Sequence, residues 1–298
     1  MTSVIGGIRA GPGSPVRVMG VVNASPESFY GGSVYVTRRA IRDRAKSIED
    51  EGGHYVDVGG MSTAPYLETG VSEREESDRV LRAVGAVQDG CNLPISVDTC
   101  RAAVAERALE AGAAIVNDVS GLKHDAGMAG TARRHRASVV VCSYGGPGRR
   151  VAPPARDYVR DARRLLAESL EIASKAGIPA SRIAIDPSIG FFRKRADGPL
   201  YTGMGSTDWV SRDAAVLDGL ASIRAKRTMP VVVSVSNKSF LGAVTGRSDV
   251  ADRAYGTAAA EAVAVMRGAD IIRTHNVGAA ADAASVASRV VGRRRRRL

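Results

Sequence analysis

Aromatic side chains are scarce in this 298-residue sequence, at 4% of the chain, although hydrophobic residues make up 44%. The core must therefore be built mainly from alanine, valine, isoleucine and leucine, a composition typical of buried strands covered by helices. No apolar run approaches the roughly 20 residues that span a bilayer, and no charged segment followed by an apolar one opens the chain. We therefore expect a cytoplasmic protein with no membrane partner.

Cysteine is also rare, and the three present are Cys91, Cys100 and Cys142. Their number is odd and their spacing matches no paired metal-ligand motif, which argues against a disulfide scaffold and against a zinc ribbon. A reducing compartment agrees with this use of cysteine.

Acidic residues are outnumbered by basic ones, and the formal net charge is +11. Arg293 to Arg297 form an uninterrupted basic tail. Such a tail can contact nucleic acid, but runs of like charge are usually solvated, and no basic stripe with interleaved aromatic residues occurs elsewhere in the chain. We therefore favour a solvated tail over a nucleic-acid partner.

A unit of strand, polar tip and helix recurs along the chain. Apolar runs predict eight strands, at residues 16–22, 55–58, 94–97, 114–116, 138–141, 182–185, 231–235 and 270–272. Helical periodicity predicts eight helices, at residues 37–51, 72–87, 101–110, 126–136, 157–175, 208–225, 250–267 and 279–291. Ser72, with Glu75 three residues later, is typical of a helix N-terminus.

Strands that alternate with helices imply a parallel sheet, and a count of eight favours closure into a single (β/α)₈ TIM barrel. We assign the barrel to residues 16–291, with an N-terminal extension at 1–15 and the basic tail at 292–298. A doubly wound open sheet is the competing fold. An open sheet of that kind gathers its ligand-binding groups around one switch point. Here nearly every strand ends in a polar residue, which favours the barrel.

In a closed barrel the strand tips converge on one mouth, and here they fall into two sets. Taken singly, an Asp, Asn or Ser after a strand more often caps the next helix or forms a turn, and it is the combination of tips that favours a binding site. The first set would suit a flat heterocycle with an amide-like edge, because carboxylates, a carboxamide and a lysine match its donors and acceptors. This set is Asp98, Asn117, Asp186 and Lys238. The second set would suit phosphate or pyrophosphate, with a magnesium ion held by its asparagine. It is Asn23, Thr63, Arg273 and His275.

Seven ordered motifs carry a resemblance to a known family. They are MGVVNASPESF from Met19, DVGG from Asp57 with Ser62-Thr63, SVDT from Ser96, NDVSG from Asn117, DP from Asp186 with IGF from Ile189, KSFLG from Lys238, and IIR from Ile271 with His275. Together they resemble dihydropteroate synthase, from the first strand to the eighth. The run MSTAPY from Met61 is similar to the archaeal branch of that family.

The resemblance implies a transferase that condenses 6-hydroxymethyl-7,8-dihydropterin pyrophosphate with an aromatic amine and releases pyrophosphate. It implies that the first set binds the pterin, that Asn23 binds Mg²⁺, and that Thr63, Arg273 and His275 bind pyrophosphate. Asp98, Asp186, Lys238 and Arg273 would be catalytic, and Ser239, Phe191 and Thr63 would contact the amine. Family members are generally homodimers, so we expect one here.

Two positive charges expected near the amine are missing. The second loop usually reads Gly-Glu-Ser-Thr-Arg-Pro but here has Met61 and Ala64, and Asn237 stands where the family has arginine. We therefore expect the amine to be either p-aminobenzoate, in folate synthesis, or a ribosylated aniline phosphate, in methanopterin synthesis. Arg193, Lys194 and Arg195 are candidates to bind the phosphate of the second.

A pterin-binding methyltransferase domain is the rival function, because it shares the barrel and the pterin set. It has no pyrophosphate to bind, and Arg273 and His275 therefore argue against it.

Overall fold

The computed structural model describes residues 3–25, 35–61, 71–146, 157–193, 200–204, 208–224 and 228–292. The predicted roles of Thr63, Lys194, Arg195 and the basic tail fall outside these described residues.

Twelve strands occur in the described residues. They are β1 (Ser3–Ile5), β2 (Ile8–Ala10), β3 (Arg17–Asn23), β4 (Tyr55–Gly59), β5 (Ile95–Asp98), β6 (Ile115–Asp118), β7 (Ser138–Cys142), β8 (Ile183–Asp186), β9 (Phe192–Arg193), β10 (Thr202–Gly203), β11 (Val232–Val233) and β12 (Ile271–Thr274).

The same part of the chain contains ten α-helices. They are α1 (Arg38–Asp50), α2 (Glu73–Gln88), α3 (Ala102–Glu110), α4 (Met128–Arg134), α5 (Tyr158–Lys175), α6 (Trp209–Asp218), α7 (Leu220–Arg224), α8 (Ser239–Thr245), α9 (Ala254–Met266) and α10 (Val277–Val290). Short 3₁₀ turns occupy Ala180–Arg182 and Ala251–Arg253. None of the helices described is long and apolar enough to cross a membrane.

The predicted barrel is confirmed. Eight parallel strands form one sheet in the order β11-β12-β3-β4-β5-β6-β7-β8, and a bridge between Ile185 and Val231 joins its two ends. Because each helix returns the chain to the same end of the sheet, all eight strands point the same way. The helices cover the outer face of the strands with valine, alanine and isoleucine side chains.

Local sequence signals account for the helix starts. Ser72 accepts a hydrogen bond from the Glu75 backbone N–H, as its spacing predicts, and Thr37 and Asp157 cap α1 and α5 in the same way. The predicted helix at 208–225 is instead broken between α6 and α7 at Gly219, where a Cβ atom would lie 2.3 Å from the Val159 side chain. Only glycine therefore permits the close approach of α5 at this break.

The N-terminal segment forms a hairpin that closes the bottom of the barrel. Strands β1 and β2 pair antiparallel, and Ile5 is fully buried among barrel-interior side chains that include Met19, Tyr55 and Ile115. Gly6 has φ +52°, and a Cβ atom there would lie 2.8 Å from Ile115. The chain therefore turns directly against the barrel floor. The hydrophobic pattern of residues 1–15 did not predict this hairpin.

We expect Ile5→Ala to lower the free energy of unfolding by about 2–4 kcal/mol, because it leaves a cavity beneath the barrel interior. Urea unfolding followed by circular dichroism measures the change. Val4→Ala is the matched control, since Val4 lies in the same strand with 38% of its surface exposed. Equal effects of the two substitutions would contradict the packing role assigned to Ile5.

Candidate active site

The strand register brings the predicted tip residues to one level of the barrel mouth. Asn23 pairs with Gly59, Gly59 with Asp98, and Asp98 with Asn117 across four neighbouring strands. Strand β12 lies beside β3 and carries Arg273 to the same end. The two predicted sets therefore meet in one depression, with the exception of Thr63, which lies outside the described residues.

Arg273 is the centre of this depression. Its Nε atom donates to Asp57 Oδ2 at 2.6 Å, and one terminal nitrogen donates to Asp98 Oδ2 at 2.7 Å. Asp57 is fully buried, and only 15% of the Arg273 side chain is exposed. Burial alone would lower the pKa of Arg273, but the two aspartates outweigh burial and raise that pKa above its ordinary value.

Asp57 belongs to the DVGG motif, but the sequence pattern did not predict it to be a site residue. In the structure it bonds Arg273, and Asn117 Nδ2 donates to the same oxygen at 3.2 Å. The available signal was its position, because Asp57 is the one charged residue in the otherwise apolar strand β4. A charge there needs a buried partner.

Two further carboxyl groups of the depression have raised pKa values. Burial raises the pKa of Asp98 to about 7, against the opposing charge of Arg273. Burial likewise raises the pKa of Asp186 to about 6, although the Ser188 backbone N–H donates to its Oδ1 at 2.6 Å and lowers it. Asp98 is therefore only partly ionised near pH 7 and Asp186 is mostly ionised, and both gain from a ligand that donates hydrogen bonds to their carboxylates.

Lys238 and Phe191 lie together at the β8–β11 side of the mouth. The Lys238 Nζ atom is 4.0 Å from the centroid of the Phe191 ring. Burial and then the nearby charges of Arg273 and Arg193 lower the pKa of Lys238 to about 8. Ser239, the first residue of α8, follows Lys238 directly, and helix α8 itself is not predicted by the sequence pattern.

His275 is held by Ser236 on the neighbouring tip. Ser236 Oγ accepts from the His275 backbone N–H at 3.2 Å and lies 2.9 Å from His275 Nδ1. Burial, followed by the charges of Arg273, Lys238 and Arg44, lowers the pKa of His275 to about 3. The imidazole is therefore neutral at pH 7, and its Nδ1 atom is paired with the Ser236 hydroxyl.

Asn23, the predicted magnesium ligand, has its carboxamide oxygen at the tip of β3. Its Oδ1 atom lies 3.7 Å from the position a Cβ would take at Gly59, beside the tip that bears Asp98. One neutral oxygen suits Mg²⁺ when substrate phosphates and water complete its coordination. Another group with metal-ligand geometry, Glu106, Glu110 and His135, lies on the outer helical layer and not at the mouth.

A cavity of about 260 Å³ adjoins His275 between the strand tips and helices α1, α9 and α10. Arg44 and Glu261 line it, and Glu261 is 1% exposed. Burial raises the pKa of Glu261 to about 7, and the nearby Thr274 hydroxyl opposes this shift only in part. Sequence reasoning did not identify this carboxyl group, since it lies within a helical pattern.

These features define a class of protein: a (β/α)₈ barrel enzyme with its polar groups gathered at the carboxyl ends of the strands, where barrel enzymes act on their substrates. Residues 19–275 match the family of pterin-binding enzymes. The chain is 35% identical to the dihydropteroate synthase of Bacillus subtilis over 260 residues, which are 87% of this chain and 83% of that one.

Solved structures agree. A dihydropteroate synthase from Coxiella burnetii in complex with pteroic acid superposes with a TM-score of 0.80 at 32% identity, covering 93% of this chain and 94% of that one. The Xanthomonas albilineans enzyme with 4-aminobenzoic acid also gives a TM-score of 0.80, at 30% identity, covering 97% and 98%. The chain belongs to the dihydropteroate synthase family and is a transferase of that kind.

The buried Glu261 predicts a pH-dependent stability. Its folded pKa of about 7 exceeds its ordinary value of 4.5, so the folded protein keeps a proton that the unfolded chain loses. Stability therefore declines as pH rises from 4.5 through 7. We expect Glu261→Gln to be more stable than the parent at pH 8, by on the order of 1–3 kcal/mol, and nearly equal to it at pH 4.5.

Urea unfolding at the two pH values measures this difference. Glu110→Gln is the control, because Glu110 is exposed at the end of α3 and should show no such trend. A Glu261→Gln difference that does not change with pH would contradict the assignment.

Proposed function

We propose that this protein condenses 6-hydroxymethyl-7,8-dihydropterin pyrophosphate with p-aminobenzoate, releasing pyrophosphate and forming dihydropteroate for folate synthesis. The observation that carries the proposal is Arg273, which is held between Asp57 and Asp98 where the pterin set and the phosphate set meet. The pteroic acid and 4-aminobenzoic acid bound by the solved relatives support it.

The pterin ring is proposed to lie against Asp98, Asn117, Asp186 and Lys238. The carboxylates accept from its N–H groups, and Lys238 donates to its ring nitrogen or carbonyl oxygen. Burial raises the pKa of both aspartates. A ligand that donates hydrogen bonds to their carboxylates lowers these pKa values again and so favours the charged form to which it binds. Recognition and ionisation are therefore coupled in this half of the site.

Departure of pyrophosphate leaves positive charge on a methylene group conjugated with the pterin ring. The carboxylates of Asp57, Asp98 and Asp186 stabilise this developing cation, because they are fixed before the reaction begins. The arylamine nitrogen is neutral at pH 7 and needs no strong base. We therefore propose a dissociative displacement without a covalent enzyme intermediate, and the buried thiol of Cys100, whose pKa is raised to about 12, is not available as a nucleophile.

The leaving pyrophosphate is proposed to lie against Arg273, His275 and Thr63. Neutral His275 would present Nε2 to the leaving group, since Nδ1 is paired with Ser236. Asn23 would hold a magnesium ion, which when bound neutralises charge on the leaving group. The arylamine would then approach along Phe191 and Ser239.

The decisive assay follows dihydropteroate formation from the pterin pyrophosphate and p-aminobenzoate. We expect turnover that requires Mg²⁺ and that falls about 10²–10³-fold in kcat/KM in Arg273→Ala, because one preorganised donor to the leaving group is removed. Magnesium-dependent pyrophosphate affinity, measured by calorimetry, should be lost in the same variant. Arg39→Ala, an exposed arginine on α1, is the control.

Two outcomes would contradict this proposed function and favour another. A parent protein without magnesium-dependent pyrophosphate affinity would favour a pterin-binding methyltransferase. Preferential turnover of a ribosylated aniline phosphate over p-aminobenzoate would assign the enzyme to methanopterin synthesis.

We also propose that the protein is a cytoplasmic homodimer. The three cysteines are free, as in a reducing compartment. Helices α8, α9 and α10 each expose large apolar side chains, which suits a second copy of the same face. This set comprises Val244, Tyr255, Val263, Met266, Val286 and Val290, of which Tyr255 is 90% exposed.

Substituting Tyr255→Lys should weaken self-association at least about tenfold, because the most exposed aromatic side chain of this set is replaced by a charge. Sedimentation velocity at several concentrations measures the change. Val36→Lys introduces the same charge at an exposed apolar position before α1 and should have no effect. A parent that sediments as a monomer at all concentrations would refute the dimer.

A further inference from the structure

Arg193 is fixed next to the proposed amine position. It lies at the end of β9, and its guanidinium carbon is 4.7 Å from the centroid of the Trp209 ring and 5.6 Å from that of Tyr201. One terminal nitrogen donates to the Phe192 carbonyl at 2.9 Å, and the other donates to Ser239 Oγ at 2.9 Å. Stacking and two hydrogen bonds therefore hold the charge in one place before any ligand arrives.

The charge of Arg193 has no acidic counterpart in the described part of the chain, where no carboxylate lies within ion-pair distance of it. Burial and the charge of Arg273, and after them the charge of Arg193, lower the pKa of Lys238 to about 8. Lys238 lies over the Phe191 ring, and Arg193 bonds Ser239, the residue that follows Lys238. These two half-buried cations repel one another, and an anion placed near both would relieve the repulsion.

Asn237, which occupies a position where arginine is usual, cannot take this role. Its backbone N–H donates to Thr257 Oγ1, and its carbonyl accepts from Arg253, so it is tied to α9 and the segment before it. Its φ of +59° turns the chain there in a left-handed conformation. Arg193 is therefore the cation that the described residues place against Ser239.

We propose that Arg193 binds the anionic substituent of the aromatic amine, which is the carboxylate of p-aminobenzoate, and so makes the enzyme selective for a negatively charged amine. The inference rests on the proposed function. A planar guanidinium held by aromatic rings suits a carboxylate, which it can bind through two parallel hydrogen bonds.

The test compares p-aminobenzoate with neutral p-aminobenzamide in the parent and in Arg193→Gln. We expect the KM for p-aminobenzoate to rise about 10–100-fold in the variant, because a charge-assisted hydrogen bond is lost. The KM for p-aminobenzamide and for the pterin pyrophosphate should stay within about twofold. Arg193→Lys keeps the positive charge but lacks the planar guanidinium, so its KM for p-aminobenzoate should lie between those of the parent and of Arg193→Gln.

A structural role for Arg193 would give a different result, since disturbed packing at Trp209 would weaken both amines equally. Equal losses for the two amines, or no loss for either, would overturn the inference. Arg39→Gln serves as the charge-matched control. Thermal unfolding of each variant reports whether the fold is retained.

Calorimetry separates this inference from the proposed reaction. Binding of p-aminobenzoate is measured in the presence of 6-hydroxymethylpterin, pyrophosphate and Mg²⁺, without turnover. If the parent binds p-aminobenzoate and Arg193→Gln binds it at least tenfold more weakly, the inference stands even if no condensation is observed. Undiminished affinity in the variant, or no affinity in the parent, overturns it.

Discussion

The ion pairs of Arg273 with Asp57 and Asp98 determine the character of the barrel mouth. Asp57 is fully buried and would be costly without a cation, and Arg273 brings that cation from a strand more than two hundred residues away in the sequence. The same guanidinium joins β12 to the tips of β4 and β5 across the mouth. The side chains proposed to bind pterin and those proposed to bind pyrophosphate are therefore parts of one electrostatic unit.

Burial shifts the titrating groups around this unit toward their neutral forms. The pKa of Asp98 rises to about 7 and that of Asp186 to about 6, while the pKa of Lys238 falls to about 8 and that of His275 to about 3. A ligand that carries its own donors and negative charges reverses several of these shifts at once. Arg193 is proposed to attract the negatively charged amine in a similar way, because it offers a fixed positive charge without an acidic neighbour among the described residues.

Much of the fold followed from local patterns. Each predicted barrel strand exists, and the predicted helix cap at Ser72 forms as its spacing to Glu75 indicates. The elements that the sequence patterns did not predict are those that depend on contacts between distant parts of the chain. The hairpin with Ile5 is stabilised by the barrel floor, and the glycine at the break between α6 and α7 is required by the approach of Val159. Neither contact leaves a periodic signal in the chain.

By itself, the sequence determined the order of strand and helix units, the polar residue at each strand tip and the family to which the motifs belong, because these depend on neighbours along the chain. Only the tertiary structure decided which charges meet. Asp57 pairs with Arg273, Ser236 orients His275, and Arg193 reaches Ser239 because the closed sheet and its register set those distances. Periodicity carries no information about contacts between residues so far apart in the chain.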